Sequence, residues 1–476
     1  MDYIIQTPCG KVQGTAGRAP GTAAYKGIRY ATAGRWEAPV PVTHWDGIYD
    51  ATQYGANAYQ GTAFNPPNPN NFYHKEFREG IDYTYSEDCL SLNIFTPDTA
   101  KEGDRLPVII YIHGGAFQGG CSNQKSFDEP IWPTCGVIGI TIHYRLGPLG
   151  FACLPELIEE AGFTGNYGLY DQLTAIQWVK NNIAAFGGDP ENITIMGQSA
   201  GAESVQKLCL SPLSKGLFQK AVMSSAGGIL SAKKRYLNPH RAKAFRFLKE
   251  TRRSTYNIFT GQPAEFYYPL WQAVMKKAGC QTLAQFRAIS PEALYKAYNE
   301  VKAGGFEDMG AYPCIDGKLI VAPGAEVLAM GEQMQIPYLI GSTSEDMIPA
   351  ILPDLALMWC KPQPKKSFVW YFDRQLPGDH EGAWHSADLW YWFGTLSNCW
   401  RPMTDKDHAL SRQMVDYLCN FARSGDPNSS DLPTWKPSNG GQKKVLWLGE
   451  QDTHMAKFPM EKLRNTMYAK SNAQKG

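Results

Sequence analysis

The chain has 476 residues, with 46 Lys plus Arg against 45 Asp plus Glu, a formal net charge of +1. That balance excludes a generally basic nucleic-acid binder and an acidic tail protein, and the 46 glycines and 32 prolines are too dispersed for a collagen-like or disordered chain. A chain of this length can bury a large core. The strongest apolar runs, such as Leu106 to Ile112, are strand-length, well short of the ~18 residues of a membrane-spanning helix. The start, Met1-Asp2-Tyr3-Ile4-Ile5-Gln6, has neither a basic region nor a long apolar one, so no signal peptide is expected. Eleven cysteines form no CxxC pair and no zinc-type cluster with histidine. Cys135, Cys153, Cys209 and Cys419 lie in apolar runs and read as small core hydrophobes in a reducing, cytoplasmic setting.

In chain order, Asn65 to Asn71 reads as a polar loop. Leu106 to Ile112 reads as a strand ending in His113-Gly114-Gly115, and Cys135 to Ile142 as a second strand covered on both faces. Leu169, Leu173, Ile176, Val179, Ile183 and Phe186 recur at helical spacing, and Gly187-Gly188 supplies the stop. Ile193 to Met196 is a strand that runs into Gly197-Gln198-Ser199-Ala200-Gly201, followed by a helix over Ala202 to Leu210. Further strands are expected at Ala221 to Met223, Tyr338 to Ile340, Phe368 to Phe372 and Val445 to Leu448. The alternation predicts an α/β fold with a central, mostly parallel twisted sheet flanked by helices. Residues from about 230 to 312 are helix-rich and read as a cap insertion, leaving 1–476 as one domain without internal repeats.

Gly197-Gln198-Ser199-Ala200-Gly201 fits G-x-S-x-G between a strand and a helix. A nucleophilic serine has to project from a sharp, strained turn, and small neighbours let that turn close. The helix that follows aims free N–H groups and its positive dipole end at the site. His113-Gly114-Gly115 follows a central strand, where glycine allows backbone N–H groups to approach an oxyanion. Gly114 and Gly115 would donate two such groups and Ala200 a third, while His113 orders the loop. A serine hydrolase also needs an acid and a histidine after the serine, in that order. Beyond Ser199 the histidines are His240, His380, His385, His408 and His454. The residues alone narrow the pair to Glu345 or Asp346, just after the Tyr338 strand, with His380 or His385.

These motifs resemble the type B carboxylesterases, the family of bacterial p-nitrobenzyl-type esterases and cholinesterases. Phe186 to Gly201 is similar to the family's serine signature and Glu87-Asp88-Cys89-Leu90-Ser91-Leu92-Asn93-Ile94 to its second signature. Tyr25 to Ala31, Gly165 to Gln172, Ile315-Asp316-Gly317 and Phe421 to Asn428 extend the likeness over nearly the whole chain. The resemblance implies an α/β-hydrolase fold. It implies Asp346 as the acid, at a position where most relatives carry glutamate, with Glu345 as the alternative. It implies His385, within Gly382-Ala-Trp-His385-Ser-Ala-Asp-Leu-Trp-Tyr-Trp-Phe393-Gly394. Ser225 resembles a serine that the family holds beside the triad, and Arg35 with Glu87 and Arg145 with Asp171 resemble structural ion pairs. The sequence also departs from the family. Ala58 stands where oxidised relatives have the disulfide partner of Cys89, which agrees with a reducing compartment and implies a more mobile loop over 61–85. Gln198 replaces a glutamate common beside the serine, which argues against cationic, choline-like substrates.

The implied activity is hydrolysis of a small-molecule ester, neutral and carrying short-acyl or aromatic groups, through an acyl-enzyme. Neither metal nor cofactor is called for, and no nucleic-acid partner. Trp384 is the candidate wall of the substrate pocket, while most of the tryptophans between Trp359 and Trp400 read as core. The competing readings are a hydroxycinnamoyl esterase or amidase on the same triad, a lipase, and a non-catalytic cholinesterase-like binding protein. Asn192-Ile-Thr194 and Asn428-Ser-Ser430 fit the glycosylation pattern but read as accidental. Nothing in the sequence sets the oligomeric state, and a monomer is compatible with it.

Overall fold

A computed structural model describes residues 3–61, 72–226, 261–307, 309–349, 352–439 and 443–458. The polar stretch Asn65 to Asn71, residues 230–260 of the predicted cap and His240 lie outside the described residues.

Eleven strands make the main sheet. In chain order they are β1 (Thr15–Ala16), β2 (Thr22–Arg29), β3 (Ser91–Pro97), β4 (Leu106–Ile112), β5 (Ile138–Ile142), β6 (Gly188–Gln198), β7 (Lys220–Ser224), β8 (Tyr338–Thr343), β9 (Ser367–Phe372), β10 (Lys444–Leu448) and β11 (His454–Lys457). Across the sheet the order is β11-β10-β9-β8-β7-β6-β4-β5-β3-β2-β1. The run from β10 to β5 is wholly parallel, and antiparallel strands close both ends. This is the α/β-hydrolase architecture. Parallel strands bring their carboxyl ends to one edge, the usual place for a site in such sheets. That edge carries the turns after Ile112, Gln198, Ser224, Thr343 and Phe372.

The central strands are apolar throughout because both faces are covered. On one face Val108, Ile110 and Ile112 of β4 meet Ile138, Ile140, Ile142, Ile193 and Ile195. Helices α1 (Tyr167–Asn182) and α2 (Ala200–Leu210) cover it, with Ala175, Ile176, Val179, Val205 and Leu208 facing inward. On the other face Ile109, Tyr111, Met196, Val222, Leu339 and Phe368 form a second core, shared with the aromatic run Leu389–Phe393 and with Met414, Val415, Leu418 and Phe421 of the Asp405–Ser424 helix. Trp359, Trp370, Trp390 and Trp392 are fully buried, as their core reading requires.

Two boundaries differ from expectation. The predicted Gly168–Phe186 helix ends at Asn182 and tightens into a 3-10 turn over Ile183–Phe186, and Gly187 closes it at φ 86°. The Cys135–Ile142 strand begins only at Ile138, because Trp132–Cys135 is a 3-10 turn ended by left-handed Gly136 at φ 70°. Cys135 is therefore half-buried rather than a core residue.

Past Gly261 lie the helices α3 (Tyr268–Lys277), α4 (Leu283–Ala288) and α5 (Pro291–Ala303). Thr282 and Gln285 form a capping box on α4, and Ser290 caps α5. Trp271, Phe286, Leu294, Tyr295 and Tyr298 of these helices join Phe117, Phe151, Tyr167 and Ala200 in a third core. Among the described residues no helix is long and apolar enough to cross a membrane.

Candidate active site

The G-x-S-x-G spacing has a steric cause. Ser199 sits at φ 54°, ψ −125°, between the end of β6 and the first residue of α2, a backbone region that costs energy for any side chain. A Cβ on Gly197 would lie 2.3 Å from the carbonyl of Gly201, and one on Gly201 would lie 2.0 Å from the Ile112 oxygen. Both glycines let strand, turn and helix close onto β4. The Ser199 N–H is tied across the sheet to the Ser224 carbonyl at 2.9 Å.

The Gly114-Gly115 loop presses on this turn. A Cβ on Gly114 would lie 2.7 Å from the Gln198 carbonyl and 3.0 Å from Ser199 Cβ, and Gly115 holds φ 112°. The first-turn N–H groups of α2, including that of Ala200, have no carbonyl one turn back. His113 is buried and its Nδ1–H donates to the Gly114 carbonyl at 2.8 Å. Burial pushes its imidazole down to about 4, so at neutral pH it is an uncharged brace, stacked on Tyr144 at 4.5 Å.

Asp346 and His385 are brought together, with Asp346 Oδ1 at 2.6 Å from His385 Nδ1. Thr343 donates its N–H and hydroxyl to Oδ2, both at 3.2 Å, and the Met347 N–H donates to Oδ1 at 2.8 Å. Burial pushes the Asp346 carboxyl up, but His385, the nearby Ser225 hydroxyl and the Met347 N–H outweigh it and hold the carboxyl below its ordinary value. The alternatives fall elsewhere. Glu345 is half-buried, its N–H on the Ala383 carbonyl at 3.0 Å and its Cγ beside Gly382, while His380 is exposed.

The other end of the imidazole is occupied. Gln198 Nε2 lies 3.2 Å from His385 Nε2; with Nδ1–H directed at Asp346, the amide is the donor. Among the described residues Ser199 Oγ has no hydrogen-bond partner, so the serine–histidine bond is not formed in this state. Ser225, at φ 58°, is buried at the end of β7 and its N–H donates to the Gly341 carbonyl at 2.8 Å. Trp384 is buried, with the rings of Phe72, Tyr73 and Phe77 at 5.0, 5.9 and 5.5 Å.

The carboxylesterase family model matches residues 1–356 and 354–467. The chain belongs to the carboxylesterase family. It is 30% identical over 494 residues to the para-nitrobenzyl esterase of Bacillus subtilis (strain 168), covering 94% of this chain and 95% of the relative. It is 30% identical over 511 residues to the bile salt-activated lipase of Mus musculus, covering 87% and 77%. A thermophilic para-nitrobenzyl esterase structure superposes with a TM-score of 0.79 at 26% identity, covering 98% of this chain and 99% of that one. Family membership makes the chain a hydrolase of carboxylic esters.

One residue of this carboxylesterase escaped the sequence reading. Asp388, three residues past His385, is fully buried. Its Oδ2 accepts from Ser224 Oγ at 2.7 Å and from Trp392 Nε1 at 3.2 Å, and its Oδ1 has no partner among the described residues. Since the Ser224 carbonyl holds the Ser199 N–H, Asp388 links the histidine loop to the serine turn. The available signal was one acid at the head of the apolar run Leu389–Phe393. Burial, reinforced by the Asp346 charge, pushes its carboxyl from 3.8 up to about 6. The folded chain therefore holds an extra proton between those values. The stability this proton confers is complete below 3.8 and lost as pH rises through 6, about 3 kcal/mol in all. Asp388→Asn keeps an oxygen for Ser224 and is expected to flatten this slope. Urea midpoints at pH 4.5 and 7.5 check it: an unchanged difference between them would count against the assignment.

Proposed function

We propose that this carboxylesterase hydrolyses neutral esters with short-acyl or aromatic groups through an acyl-enzyme on Ser199, with His385 as base and Asp346 as its orienting acid. The observation that carries this reading is the Asp346–His385 pair at 2.6 Å, set beside the strained Ser199 turn. Asp346 keeps the proton on Nδ1 and leaves Nε2 basic. Substrate entry displaces the Gln198 amide, and the Ser199 hydroxyl takes its place on Nε2. Ser199 Oγ attacks the carbonyl carbon as its proton passes to Nε2, and the oxyanion is received by the N–H groups of Gly114, Gly115 and Ala200. Collapse expels the alcohol, which takes the proton from Nε2. Water then attacks the acyl-enzyme by the same route, releasing the acid and restoring Ser199.

The neutral Gln198 beside the nucleophile favours uncharged esters over cationic ones. Cys89 is a free thiol in the apolar core that also holds Ala58, which suits a reducing cytoplasm. We also read 1–476 as a single hydrolase domain, with the helices after Gly261 as part of its cap.

The test is labelling with a fluorophosphonate, followed by mass-spectrometric mapping, beside a p-nitrophenyl ester series from acetyl to decanoyl. Stoichiometric modification of the Ser199 peptide and turnover that peaks at short acyl chains support the reading. A rate jump on a triglyceride emulsion would favour a lipase, and faster cleavage of matched anilides than esters would favour an amidase. Folded protein that neither labels nor turns over would favour a binding role.

A further inference from the structure

Arg401 is buried and joins two segments to its own. Its Nε and one terminal nitrogen fork onto Glu76 at 3.2 and 2.7 Å. Its other terminal nitrogen donates to the Pro377 carbonyl at 2.9 Å, and the guanidinium also pairs with Asp379. The side chains of Arg401 and Glu76 are both wholly enclosed. Trp400 reinforces the joint: its Nε1 donates to Glu76 at 2.9 Å, and its ring carries Lys75 at 3.6 Å and Arg401 at 4.8 Å. Two enclosed charges are costly to desolvate, and a forked guanidinium offsets that cost only where its geometry is satisfied.

The segments joined flank the candidate active site. Pro377 and Asp379 lie in the connection from β9 to His385. Glu76 lies in the helix Phe72–Phe77, which at six residues is too short to persist unaided. That helix lays Phe72, Tyr73 and Phe77 against Trp384, the neighbour of His385 in the chain. Tyr73 remains 45% exposed, and burial of its hydroxyl end together with the charge of Asp346 pushes its phenol up to about 12. Tyr73 is thus an open aromatic surface within electrostatic reach of the Asp346–His385 pair.

We propose that Arg401 is a positioning residue with two separable arms: through Asp379 and Pro377 it sets the loop that carries His385, and through Glu76 it sets a Phe72–Tyr73 face that receives the aromatic group of the substrate. The proposal rests on His385 being the base. The two arms are distinct because Glu76 is a residue of the helix and Asp379 a residue of the loop, and each pairs with Arg401.

The experiment compares phenyl acetate with ethyl acetate in a pH-stat, on Glu76→Gln, Asp379→Asn, Arg401→Lys and Tyr73→Ala, each checked for folding by circular dichroism and Tm. Glu76→Gln is expected to raise KM for phenyl acetate about tenfold, the worth of a lost aromatic contact, with kcat and the ethyl acetate kinetics held within twofold. Tyr73→Ala reproduces that rise in KM. Asp379→Asn is expected to lower kcat on both esters alike by about 10- to 100-fold, the effect of a small misplacement of a catalytic group. Arg401→Lys keeps the charge but not the fork and shows both effects. If Glu76→Gln and Asp379→Asn instead lower all parameters on both esters together, Arg401 is only structural and the proposal falls. His385→Ala, run alongside, separates the two failures. Retained turnover there removes His385 as base and takes this proposal with it, whereas lost turnover leaves a uniform result to count against Arg401 alone.

Discussion

Ser199→Ala is expected to lower kcat on p-nitrophenyl butyrate by about 10⁶, a loss comparable to removing a whole triad. The size follows from the fold rather than from the residue type. The turn at φ 54° is imposed by the close approaches at Gly197 and Gly201, so alanine inherits the same backbone and the same strain. The loss therefore reports chemistry and not a collapsed site, and Tm should stay within a degree or two of wild type. What survives is the contribution of the N–H donors and of binding, which leaves a rate still above that of water. Steady-state assay at high enzyme concentration, with the fluorophosphonate to exclude wild-type carry-over, measures that residue. A fall of less than about 100-fold would place the nucleophile elsewhere, since even one oxyanion donor is worth that much.

Asp346→Asn is expected to cost about 10⁴ in kcat with KM nearly unchanged. The bonds described for this carboxylate all come from donors: the Thr343 N–H and hydroxyl, the Met347 N–H and His385 Nδ1. A carboxamide accepts on one side only. Either its NH₂ faces the Thr343 N–H, or it faces Met347 and His385 and turns the imidazole to the wrong tautomer. Glu345 does not substitute, because its backbone is paired with Ala383 on the neighbouring segment. Wild-type Asp346 is held below its ordinary value, so the stability it adds is present above 3.8 and is lost only as pH falls through its lower folded value. The variant should therefore lose activity at every pH, and its acid unfolding should become less steep. Retention of more than a tenth of wild-type kcat would sink the assignment.

The strands and the serine turn were legible because their causes are local. Period-two burial on two faces makes the apolar runs of β4, β5 and β6, and the glycines around Ser199 answer contacts within a few residues or with the adjacent strand. The acid was half-legible. Glu345 and Asp346 are adjacent carboxylates after the same strand, and it is the Asp346 carboxylate, held by Thr343 and Met347, that meets His385. His385 itself came from the family likeness, since a histidine on a loop has no periodic signature. Asp388 and Arg401 were illegible because the partners that join them to other segments are remote in sequence. The Asp388–Ser224 bond spans 164 residues and the Arg401–Glu76 pair 325. A half-buried Cys135 was read as core because an apolar run does not announce the left-handed glycine inside it.

The third core has a consequence for heat inactivation. Phe117, in the loop that follows Gly115, and Ala200, next to Ser199, are buried among the same side chains as Trp271, Tyr295 and Tyr298 of α3 and α5. The main sheet has its own two cores. Loosening of the α3–α5 helices would thus unseat the Gly114–Gly115 loop and the Ser199 turn while the sheet stays intact. On slow warming, catalysis should fail at a lower temperature than far-ultraviolet ellipticity, and early cooling should restore it. The working ceiling of the enzyme is then set by its least cooperative layer, and stabilising substitutions belong in α3 and α5, not in the sheet.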